Sequence, residues 1–136
     1  MSTTAAQLLP APVSGDRVAL QLPGFGQVVG FVAGQGAPLL LLHSVNAAAS
    51  AAEVRTLHEH FRHSRTVLSI DLPGYGLSDR PDAAYTPRLM TDALHVATAW
   101  LRQRCGGAPV DALALSLGCE FLARAAVERP ADYRRL

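Results

Sequence analysis

Ala114-Leu115-Ser116-Leu117-Gly118 closes the short apolar run Val110 to Leu115 and opens a helical pattern. A strand that passes at once into a helix predicts a sharp turn with Ser116 at its apex. This is the geometry of a nucleophile elbow, which holds a serine hydroxyl clear of the sheet edge. A turn this tight needs small residues two before and two after the serine, because a larger side chain would collide with the facing backbone. Gly118 meets the second requirement. Ala114 stands at the first, in place of the usual glycine, and keeps the steric logic.

Upstream of the elbow, strands and helices alternate. Val18 to Leu22 and Gln27 to Ala33 read as two strands joined by the turn Pro23-Gly24-Phe25-Gly26. Ala37 to His43 is an unbroken apolar run, as expected of a strand covered on both faces. Ser50 followed by Glu53 predicts a capping box. Val54, Leu57 and Phe61 then share one helical face, with Arg55, Glu59 and Arg62 turned away. Thr66 to Asp71 is the next strand, and residues 72–81 form a loop dense in turn formers. Thr86 caps a second helix, with Pro87 at its first position. Leu89, Ala93, Val96 and Trp100 make its expected buried stripe, and Gly106-Gly107 end it. The last helix runs from Leu117 to about Glu128. This order predicts an α/β fold: an open, mostly parallel sheet with helices on both faces. Residues 1–15 read as a loose leader, and 16–136 as one incomplete domain.

Composition excludes several function classes. The net charge is +1, all twelve basic residues are arginine, and nothing points to nucleic acid or an anionic membrane. An arginine-only, alanine-rich chain is better explained by a GC-rich coding sequence. The run Pro38 to Leu42 is far too short to span a bilayer. The N-terminus lacks the basic and apolar regions of a signal peptide, which places the chain in the cytoplasm. Two cysteines, Cys105 and Cys119, form no CxxC motif and no disulfide framework. Cys119, on the first turn of the last helix, is expected to be a small buried residue. Gly24-Phe25-Gly26 with Gly30 resembles a dinucleotide-binding pattern only loosely. No helix follows it directly, so nucleotide binding is rejected.

Three motifs occur in the order of one family. His43-Ser44 follows the third strand, Asp71-Leu72-Pro73-Gly74-Tyr75-Gly76-Leu77-Ser78 follows the fourth, and the Ser116 elbow follows the fifth. Over residues 18–136 the chain resembles the N-terminal half of an α/β-hydrolase-fold protein, similar to serine esterases and lipases. The resemblance implies Ser116 as nucleophile and the backbone N–H of Leu117 as one oxyanion donor. The second donor would be a backbone N–H after His43, that of Ser44 or Val45. The family usually has His-Gly at this point, and here it is His-Ser. Asp71 and the Gly74/Gly76 loop would shape the rim, with His43 and Tyr75 near the substrate. No metal and no organic cofactor is implied.

A serine hydroxyl is a poor nucleophile until an oriented base takes its proton, and in this fold the acid and histidine follow the serine. Only twenty residues follow Ser116, and none is histidine. Glu120, Glu128 and Asp132 lie on or just after the last helix, so no triad forms in the family's way. His43 could lie near Ser116 but is expected to be a packed, hydrogen-bonded residue. His58, His60 and His63 read as a solvated helix face, and His95 as a surface residue. Ending at Leu136 would leave one side of the strand at 110–115 unpaired, a site for aggregation or oligomer formation. The leading expectation is part of a serine hydrolase acting on an ester, thioester or similar acyl bond of a small molecule, inactive as this piece alone. The alternatives are a non-catalytic binding or assembly module, and completion by a second chain.

Overall fold

The protein is described from a computed structural model covering residues 10–136. β1 (Asp16–Leu22) and β2 (Gly26–Ala33) form an antiparallel hairpin whose turn is closed by the Phe25 N–H donating to Leu22 O at 3.0 Å. β3 (Pro38–Leu42) leads through a 3₁₀ turn at Ala51–Val54 into α1 (Arg55–Phe61). β4 (Thr66–Ile70), α2 (Pro87–Arg104), β5 (Val110–Ala114) and α3 (Gly118–Glu128) follow, and β6 (Tyr133–Arg135) comes last. The sheet order is β1-β2-β4-β3-β5-β6. β1, β2 and β4 pair antiparallel, while β4, β3, β5 and β6 run parallel.

The unbroken apolar run of β3 has the expected cause. Leu40 and Leu42 face a core shared with Leu68, Ile70, Leu94 and Phe121, under α2 and α3. Leu39 and Leu41 face the other way, against Val54, Val67 and α1. Helices thus cover both faces of a mostly parallel sheet, the α/β architecture read from the sequence. Each fully buried leucine contributes about 1.5–3 kcal/mol of transfer free energy.

Several local details differ from the sequence reading. The Ser50 hydroxyl caps the 3₁₀ turn by accepting from Ala52 N–H, but Glu53 does not complete the box. Its carboxylate is taken by the Ser44 hydroxyl at 2.7 and 2.9 Å. The buried face of α2 is rotated from the expected stripe. Met90, Ala93, Leu94, Ala97 and Leu101 are buried, while Leu89, Val96 and Trp100 are half-buried. The reason is that α2 packs on the sheet and on α3 at once, which widens its covered face to Thr91, His95 and Thr98.

The edge of β5 is not bare. After a 3₁₀ turn at Pro130–Asp132, Tyr133 pairs with Val110 and Arg135 with Asp111. A three-residue strand is too short to show alternation, so its pattern could not be seen beforehand. The expected leader lies partly outside the described residues. Its last part is docked: Val13 is buried, and the Ser14 N–H and hydroxyl both donate to Glu59 at 2.8 Å. Among the described residues, no helix is long and apolar enough to cross a membrane.

Candidate active site

The parallel register sets the site. Leu42 lies opposite Ile70 on one side and Ala114 on the other, so β3, β4 and β5 end on one line. Pairing extends one step further, with Leu115 N–H donating to Leu42 O at 3.1 Å. The next residue, Ser116, adopts φ +51°, and among the described residues no other non-glycine residue has a positive φ. A side chain held in this left-handed conformation costs roughly 1–2 kcal/mol. It lifts Ser116 out of the strand direction, and the residue is solvent-exposed. Gly118 explains the second small position of the motif. A Cβ there would stand 2.6 Å from His43 O, a backbone atom that cannot swing away.

Three backbone N–H groups around the elbow, those of Leu117, Ser44 and Val45, have no acceptor among the described residues. Leu117 precedes α3, whose N-terminal end carries partial positive charge. The Ser44 side chain is held by Glu53 and also accepts from the Asn46 amide at 2.9 Å.

His43 is fully buried beneath the site, not in it. Its Nε2 accepts from Leu72 N–H at 2.9 Å, so Nδ1 carries the proton and donates to Ser44 O at 2.5 Å. Burial pushes its pKa below the usual 6.5. With both ring nitrogens held by backbone, His43 is a spacer between the ends of β3 and β4 and has no free nitrogen for Ser116. Asp71 does a similar task with its carboxylate, accepting from Ala51 N–H at 2.8 Å and Leu77 N–H at 3.0 Å. Ser78 ties the same loop to β2, accepting from Val29 N–H while its hydroxyl donates to Asp71 O. Gly76 is required here, since a Cβ would fall within 2.5 Å of the Asp71 carboxylate oxygens.

Above these supports lies an open cleft of about 930 Å³ at the carboxyl ends of the strands. Val45, Tyr75 and Leu117 line it, together with Arg80, Tyr85 and Phe121. Ser116, Ser44 and His43 are not among its lining residues, although Tyr75 packs on the His43 ring at a centroid distance of 5.3 Å. Arg80 belongs to the loop at 72–81 that the sequence marks by its turn formers. Tyr85 and Phe121 were not singled out in the sequence; they are brought to the cleft by long-range packing, and no local pattern marks them.

Three side chains are placed otherwise than expected. His58 is fully buried, its Nε2 donating to Ser14 O at 2.9 Å and its Nδ1 accepting from the Ser69 hydroxyl at 2.8 Å. The docked segment at residues 12–14 covers what would otherwise be a solvated helix face. His95 is buried between α2 and α3 and meets Glu128 at 2.7 Å. Cys119 is exposed, because α3 turns Phe121, Leu122 and Ala125 inward instead. His60 and His63 are exposed as read. Among the described residues, no three His, Cys, Asp or Glu side chains gather as a metal site.

Comparison with known proteins agrees with this fold. Among solved structures, the chain is similar to a serine hydrolase involved in carbazole degradation, the CarC enzyme. That match has a TM-score of 0.78 at 20% identity, covering 89% of this chain and 46% of the other. It is similar to E-2-(acetamidomethylene)succinate hydrolase, with a TM-score of 0.75, 19% identity, and 89% and 42% of the two chains covered. It is also similar to the haloalkane dehalogenase DatA from Agrobacterium tumefaciens, with a TM-score of 0.74, 23% identity, and 96% and 41% covered. The chain therefore spans less than half the length of these structures. No curated protein matches it. Residues 37–132 match the family model described as alpha/beta hydrolase fold. With that match extending over well more than half of its length, the chain belongs to the α/β-hydrolase fold family.

Proposed function

We propose that this chain carries the nucleophile and oxyanion half of a serine hydrolase that cleaves an ester, thioester or similar acyl bond of a small molecule. The observation that carries the reading is the +51° φ of Ser116, a strained turn that places a serine at the point where three parallel strands end. In the proposed reaction a base takes the Ser116 proton and Oγ attacks the acyl carbonyl. The negative charge that develops on the carbonyl oxygen falls to the free N–H of Leu117 and that of Ser44 or Val45. In comparable sites the loss of one such donor raises the barrier by about 2.7–4 kcal/mol. Collapse expels the alcohol or thiol, which takes the proton from the base, and water then releases the acyl group from Ser116.

The described histidines do not offer the base, for His60 and His63 lie where α1 leads into the amino end of β4, away from the strand ends at Ser116. His43 and His58 have both ring nitrogens engaged, and His95 is buried against Glu128. The chain alone is accordingly proposed to be inactive. The same observation favours, as second reading, a module that binds acyl compounds without turning them over. The test is fluorophosphonate labelling in extracts of the native source, where whatever completes the site is present. A label mapped to the peptide containing Ser116 supports the acyl-enzyme reading. Recovery of that peptide unlabelled would overturn it in favour of binding alone.

A further inference from the structure

The amino ends of the parallel strands carry a second cavity, of about 650 Å³, at the opposite end of the sheet from the cleft. It is bounded by residues that precede β3, β4 and β5, and three arginines line it: Arg65, Arg104 and Arg134. No acidic residue is among its lining residues. The nearest counter-charge, Asp111, stands outside the lining. It accepts from Arg134 Nε at 3.0 Å and Nη2 at 2.6 Å, and from Arg65 Nη2 at 2.5 Å. One carboxylate thus orients two guanidiniums and offsets a single charge.

Nη1 of Arg65 and Nη1 of Arg134 donate to nothing among the described residues. Among the described residues Arg104 forms no ion pair, and it rests over the Trp100 ring, 5.4 Å from its centroid. Three permanently charged forks against one carboxylate leave an excess of two positive charges on one cavity. From this arrangement we infer an anion site for a phosphate ester of a small molecule. A phosphate matches the fork geometry of guanidinium and its multiple charge matches the excess. The volume exceeds that of a bare phosphate, and Pro38 and Pro109 offer an apolar wall for the organic part.

Arg104 is the residue to change, because among the described residues its side chain makes no hydrogen bond or ion pair with Asp111 or the sheet backbone. The 136-residue chain is titrated with inorganic pyrophosphate at fixed ionic strength, and the arginine Nε–H signals are followed by NMR. Saturable binding should shift Arg65, Arg104 and Arg134. Arg104→Gln should weaken it about tenfold or more, as expected for loss of a charged donor, with Arg104→Lys intermediate. Arg124→Gln, on the exposed side of α3, should leave it unchanged. Phenyl phosphate should bind more tightly than inorganic phosphate. Absence of saturation, equal weakening in the Arg104 and Arg124 variants, or no gain from the phenyl group would each overturn the inference.

Discussion

Replacing Ser116 by glycine is expected to make the protein more stable. The +51° φ imposes about 1–2 kcal/mol on any residue with a Cβ, and glycine escapes it. Glycine gives back about 0.5–1 kcal/mol because its unfolded chain has more freedom to lose. The net gain is about 0.5–1 kcal/mol, a rise in Tm of roughly 2–3 °C for a chain of this size. Alanine is the control. It keeps the Cβ and the strain, and the Ser116 hydroxyl makes no hydrogen bond among the described residues, so Ser116→Ala should match the parent. Differential scanning calorimetry on the three proteins separates backbone strain from loss of the hydroxyl. A glycine variant no more stable than the alanine variant would refute the claim that Ser116 is held under strain.

Other outcomes follow from the same supports. Asp71→Ala orphans the buried N–H of Ala51 and the half-buried N–H of Leu77, and should cost roughly 1–4 kcal/mol in urea titration. A cost under 1 kcal/mol would mean that the loop is held by other means. Gly118→Ala should destabilise by about 1–3 kcal/mol despite better helix propensity, since its Cβ would meet His43 O; an unchanged urea midpoint would contradict this. Burial holds the pKa values of His43 and His58 below the ordinary 6.5, so the unfolded chain binds these protons first on acidification. Their contribution to stability is complete above pH 6.5 and is lost as pH falls from there through the lower folded values. The urea midpoint should therefore drop between pH 7 and pH 5, and less steeply in His58→Gln; identical slopes would exclude His58 as a source.

The fold was legible wherever a local pattern had one physical cause. An all-apolar β3 implies cover on both faces, and the elbow motif implies a small residue where Gly118 meets His43 O. Features decided by distant parts of the chain were not legible. The histidine at 58 is polar by type and sits among charged neighbours, yet Ser14, forty-four residues earlier, covers it. Glu53 had the spacing of a capping partner, but Ser44 claimed its carboxylate through a longer loop. The buried face of α2 was misplaced because periodicity reveals one contact surface and α2 has two, the sheet and α3. In the candidate site, the motif alone singles out Ser116 and Leu117 for the roles proposed above, whereas Tyr85 and Phe121 reach the cleft only through tertiary packing.

The register of β3 also governs how the chain is made. Leu39 pairs with Asp111, so the strand that leads into the Ser44–Val45 loop waits for seventy-two further residues before its second neighbour exists. At about 5–20 residues per second, that is roughly 4–14 seconds of synthesis. During that time Pro38-Leu39-Leu40-Leu41-Leu42 carries no charge, and one of its hydrogen-bonding edges is vacant. Such a segment is prone to pair with other nascent chains, so slower translation or scarcer chaperones are expected to lower the yield of folded protein.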